Sequence, residues 1–157
     1  MTADERAALR ARTLHRLDIL ARQFDRLLPA DLRRLALDVD TPERARLRGR
    51  VENEAIGAGL GGILGDARTR FGERMLELYN IGGYDPTAVG LNWGRSNGPA
   101  TDRVEAFLAV EDAVLATVAH ELVPAEDRRS LSEPYELLVS MKPAPRSRSY
   151  PGDPEPD

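Results

Sequence analysis

Apolar residues recur at helical spacing through the first quarter of the chain. Leu17, Leu20, Phe24 and Leu27 set the stripe, and Leu9, Leu14, Ala21 and Leu28 widen it. That period predicts an amphipathic helix with one face turned to a core. Asp4 and Glu5 fall in its opening turn, where the helix dipole favours negative charge. Pro29 is expected to stop it, since proline removes a donor and collides with the turn before it. A short second helix is expected over 31–37.

The next start signal is Thr41-Pro42: a hydroxyl able to cap, then a proline at the position where a missing N–H costs nothing. From there to about Tyr79 the pattern stays helical apart from its glycines, with Ala67, Phe71, Met75 and Leu78 on a buried face. Gly82-Gly83 reads as a stop. Residues 80–101 form a long Gly/Asn-rich loop. Asp102 with Glu105 then reads as a capping pair opening a helix to about Val123, alanine-rich and broadly apolar, which predicts the central helix. Short helices are expected around 125–131 and 134–141, the latter opened by Ser132 and Pro134. No segment alternates as a strand would. The pattern therefore predicts an all-α fold, a compact bundle of four to six helices in a single domain over 1–142. The tail, PAPRSRSYPGDPEPD (143–157), has almost nothing to bury and is expected to be disordered.

Composition narrows this picture. The 157 residues include no cysteine, which excludes disulfides, thiolate metal sites and cysteine nucleophiles and suits a reducing cytoplasm. The first residues, MTADERAALRAR, contain no apolar signal region, and the longest apolar run, residues 55–65, is far shorter than a membrane helix. Cytoplasmic location without membrane insertion is the expectation. Net charge is −4, which makes nucleic acid an unfavoured partner. The charge is uneven: residues 1–50 hold twelve arginines against eight acids, and residues 101–157 hold six basic groups against twelve acids. One half docking on the other would account for that asymmetry.

Among candidate chemistries, Gly57, Gly59 and Gly62 satisfy a G-x-G-x-x-G pattern, but no strand precedes them, so a nucleotide site does not follow. Gly57, Gly61 and Gly65 are spaced by four. On one helix they would share a face and let another backbone approach, either within the fold or in an oligomer; otherwise the segment breaks into two helices with a joint. His15 with Asp18, and His120 with Glu121, lack the Glu-x-x-His and H-E-x-x-H patterns of helical metal sites, so no metal or cofactor is expected. His120 is instead expected to interact favourably with a helix C-terminus. No catalytic residue is assigned, since Ser96 lacks a nucleophile elbow. Arg44, Arg46, Arg48 and Arg50 split between opposite helix faces and lack interleaved aromatics, which favours a solvated helix laced with acids over phosphate tracking.

The long loop remains. Tyr84, Asp85, Trp93, Arg95, Ser96 and Asn97 gather aromatic surface, a planar cation and polar groups on a glycine-rich frame, a set suited to binding a ligand or partner. Trp93 either plugs the loop onto the bundle or faces outward as an anchor. The leading expectation is an interaction module or subunit of a larger assembly, with self-association through Gly57, Gly61 and Gly65. The alternative is a small enzyme or anion-binding protein with its site at the 80–101 loop and the start of the next helix. Nucleic-acid binding through the arginines of 33–50 comes third.

Overall fold

The structure is a computed structural model that describes residues 1–28, 31, 34–35, 39–81 and 98–142, with 79–81 and 98–104 described by backbone alone. Among the described residues five helices follow one another: α1 (Ala3–Asp25), α2 (Pro42–Gly57), α3 (Gly61–Ile81), α4 (Gly98–Val118) and α5 (Arg129–Ser140). The fold is all-α, with no strand among the described residues. The tail 143–157 and the loop residues Tyr84, Asp85, Trp93, Arg95, Ser96 and Asn97 lie outside the described residues, as does Arg33.

Local chemistry sets the helix ends. Thr2 caps α1 by accepting from the Glu5 N–H at 3.1 Å, and the predicted stripe is buried at Leu9, Leu17, Leu20, Ala21 and Phe24. The helix ends at Asp25, before the proline, because the buried Asp31 carboxylate takes the Leu28 N–H at 2.6 Å and turns the chain there. Thr41 caps α2 on the Arg44 N–H at 3.2 Å, with Pro42 as first helical residue. α2 closes in a Schellman arrangement: Leu60 N–H donates to Ala55 O at 2.8 Å and Gly59 N–H to Ile56 O at 3.0 Å, with Gly59 at φ 81°. That positive φ is the one place where this turn requires glycine.

α4 starts at Gly98, not at the expected Asp102–Glu105 pair, with Pro99 in the first turn, where proline is tolerated. It contacts all four other helices, and residues 112–119 are buried without interruption. A helix apolar on every side belongs at the centre of a bundle. It stops at Val118 instead of Val123: the chain tightens into turns whose carbonyls at Val123 and His120 accept from Arg128 at 3.2 and 3.5 Å. Instead of two short helices, one helix follows, α5, with Pro134 inside it. At the sixth position this proline forfeits one backbone bond, and its ring is buried with Leu131 and Leu138.

Side-chain partners fix helix directions. Arg44–Glu133 at 2.7 Å and Arg50–Asp127 at 3.3 Å run α2 against α5. Arg16–Glu121 at 2.7 Å and the Gln23 amide on Met141 O at 2.5 Å run α1 alongside α5. The basic N-terminal half does dock on the acidic C-terminal half.

Candidate interaction surface

Those ion pairs decide what the arginines are for. Arg48 forks onto Asp112, Nε to Oδ1 at 2.5 Å and a terminal N–H to Oδ2 at 3.1 Å, and the same terminal nitrogen donates to Val39 O at 2.5 Å. Arg44 approaches Asp112 at 3.7 Å while bonding Glu133. Asp112 is completely buried. Burial pushes its carboxyl up, and Arg48 and then Arg44 act against that push. Three of the four arginines in 44–50 are thus held by acids of the chain itself. Arg44 and Arg48 turn inward, which leaves Arg46 and Arg50 exposed on the other side of α2.

Midway along α1, Arg12 and Arg16 both donate to Glu121 and hold its carboxyl down at about 2. Neighbouring His120 is not favoured as a cation there. Burial, then the charges of Arg16 and Arg128, push its pKa down, and Glu121 acts against them. His15 is exposed, and among the described residues no cluster of histidines and acids could hold a metal ion.

The glycines do not share one helix face. Gly57 ends α2, Gly59 makes the turn, and Gly61 opens α3 with Gly65 in its second turn. The segment takes the two-helix course because the Schellman closure satisfies the end of α2. A Cβ built on Gly57 or Gly65 would meet nothing within 4 Å, and one on Gly61 would make ordinary contact with the Ile56 side chain at 3.5 Å. No other part of the described fold therefore uses these glycines for close packing. Gly57, Gly62 and Gly65 are exposed, beside an Ile56 that is 56% exposed.

α1 and α3 together build a surface that the sequence reading missed. Leu14, assigned above to the buried stripe, is 47% exposed. It borders an open groove of about 300 Å³ whose apolar floor is Leu17, Ile63, Ala67 and Phe71. The rim is charged: Arg10 and Asp18 on α1, Asp66 and Arg70 on α3. The two helices run in the same direction, since Arg70 reaches Asp25 at 3.4 Å and Arg74 donates to the carbonyls of Asp25 and Leu27 beyond the groove. Read along that direction, α1 presents plus then minus, and α3 minus then plus. The signal was legible as Arg10, Leu14 and Asp18 at i, i+4 and i+8, a leucine bracketed by opposite charges on one face.

Compared with known family models, with curated proteins and with solved structures, the chain finds no match in any of the three. No helix among the described residues is long and apolar enough to cross a membrane.

Proposed function

We propose that this protein is an interaction module that self-associates through its α1–α3 face and serves as a subunit of a larger assembly. The observation that carries the reading is the alternating charge around Leu14. A twofold interface brings one patch against its own copy, so the patch must be self-complementary. With the axis along the helices, Arg10 faces Asp66 of the copy and Asp18 faces its Arg70. With the axis across them, Arg10 faces Asp18 of the copy and Asp66 faces its Arg70. Both arrangements bring opposite charges together, with Asp18 and Arg70 sharing or exchanging their own-chain partners Arg22 and Asp25, and Leu14, on α1 between Arg10 and Asp18, lies inside the contact in each.

The rest of the surface supports the same reading. Gly62 and Gly65 stand on the outer side of α3, each costing about 0.8–1 kcal/mol of helix stability relative to alanine, with no internal contact that requires them. A backbone arriving from outside is what such positions admit. Helices of 23 and 21 residues are about 30 Å long, so the pair offers several hundred Å² per partner, approaching a standard interface. A cytoplasmic setting goes with this reading, since a cysteine-free chain suits a reducing compartment.

Sedimentation of the native chain and of Leu14→Asp tests the proposal. The native chain should show a concentration-dependent dimer. Leu14→Asp should weaken it by about 100-fold or more without lowering the melting temperature, because the replaced side chain is half exposed. An unchanged dimer in Leu14→Asp would place the interface elsewhere.

A further inference from the structure

On the opposite side of α3 lies a second recess, between α3 and α4, of about 240 Å³. Its floor is apolar and fully assembled: Phe71, Met75, Val110 and Val114 are each at most 3% exposed. Its opening owes much to Gly72. This glycine sits in the middle of a 21-residue helix, where it costs about 1 kcal/mol relative to alanine, yet a Cβ there would meet nothing within 4 Å. Packing does not call for a glycine at this position; what its missing side chain leaves is space. A cavity of about 150 Å³ lined by aliphatic and aromatic groups is enough to take up benzene, so this one has room for a ring and a short chain.

The polar side of the recess has a defined sign. Arg68 at its mouth is held by Glu111 at 2.9 Å and by Glu52, reaching across from α2, at 3.2 Å. Arg68 holds the Glu52 carboxyl below its ordinary range, so the triad carries two carboxylates on one guanidinium and a net charge of −1. Each of the three side chains is about one-third exposed or slightly more, so their field reaches the opening.

We propose that the α3–α4 recess binds a small aromatic amine, its ring in the space between Gly72 and Phe107 above the Met75 floor and its ammonium at Glu111, whose partner Arg68 is shared with Glu52 outside the lining. An apolar ring matches the floor, and a single positive charge balances the excess carboxylate. A ligand of opposite sign would meet that excess directly. Soft, unbranched Met75 adapts to ring shape, which makes the ammonium and the ring size the selective features. This site opens on the other side of α3 from the α1–α3 groove, with Phe71 common to both floors, and does not depend on self-association.

Three probes of similar size and different charge test it: 2-phenylethylamine, 2-phenylethanol and 3-phenylpropanoate. The chain has three methionines, so methyl-labelled methionine reports Met75 at the floor against Met1 and Met141 as internal references. The amine should shift the Met75 methyl saturably and bind about tenfold tighter than the carboxylate, with the alcohol between them. Glu111→Gln should narrow that gap. Gly72→Leu should abolish the shift while the melting temperature holds or rises, which separates a filled site from a damaged fold. No saturable shift with any probe would overturn the site. A carboxylate or alcohol binding as tightly as the amine would overturn the ligand class. Binding that survives Gly72→Leu would overturn the location.

Discussion

α4 and α3 are both 21 residues long and lie against each other, yet they are built for opposite surroundings. α4 is enclosed: its buried carboxylate Asp112 is met by two arginines from α2, and its alanines let the other helices close around it. α3 is turned outward, with glycines at positions that no neighbour presses on and a groove along each side. The contrast separates the charges that hold the bundle together from those left on its surface. Charges satisfied inside the chain describe folding. The pattern of charge on the outer face, around an exposed leucine, is what the proposed self-association rests on.

The largest effect should come from breaking the enclosed side of that contrast. Arg48→Met leaves Asp112 buried beside only the more distant Arg44 and should cost about 3–5 kcal/mol in chemical denaturation. Adding Asp112→Leu should recover most of the loss, because an apolar pair of similar volume has no charge to desolvate. If the double variant is as unstable as the single one, the buried pair is not what limits α4.

On the outward side the expected changes are smaller and differ in sign. Gly65→Ala should stabilise the monomer by about 1 kcal/mol, since the new methyl meets nothing and helix propensity improves. Gly59→Ala should destabilise it by about 1–2 kcal/mol, because φ 81° strains any other residue. Equal melting temperatures for the two variants would erase the distinction between the α2–α3 turn and the α3 face.

The smallest effect is a pH dependence. Glu121 is held at about 2 in the folded chain against an ordinary 4.5, so its contribution to stability is complete above the ordinary value. That contribution is lost as pH falls from about 4.5 through 2, where protonation releases Arg12 and Arg16. Glu121→Gln should flatten acid unfolding across that window, while the solvent around Arg12 keeps the effect modest. His120 acts in the same direction at higher pH: with its folded pKa pushed down, stability falls as pH drops below the ordinary 6.5.

Much of the fold was legible in the sequence because helix signals are local. The α1 stripe, the Thr41-Pro42 start and the alanine-rich central helix each follow from spacing and capping chemistry over a few residues. Helix ends were less legible. Val118 and Arg129 bound their helices because Arg128 reaches back to carbonyls that spacing cannot locate. The glycines at 57, 61 and 65 shared a helical period in the sequence, but one positive φ at Gly59 placed them on two helices. Leu14 shows why the surface was harder than the core. Its spacing suits a buried stripe, yet it borders the open groove between α1 and α3, a placement set by tertiary packing. The arginine–acid docking was readable as a charge imbalance, while the identity of each pair depended on tertiary geometry.

Loss and rescue of the dimer in Asp66→Arg, followed by sedimentation, is the most direct test of self-association. Reversing Asp66 sets like charges against each other in both twofold arrangements, so the variant should sediment as a folded monomer. Adding Arg10→Asp should restore the dimer if the axis runs along the helices, and adding Arg70→Asp should restore it if the axis crosses them. Recovery by one of the two establishes both the face and its symmetry. A native chain that remains monomeric at every concentration, or an Asp66→Arg dimer as strong as the native one, would contradict the account.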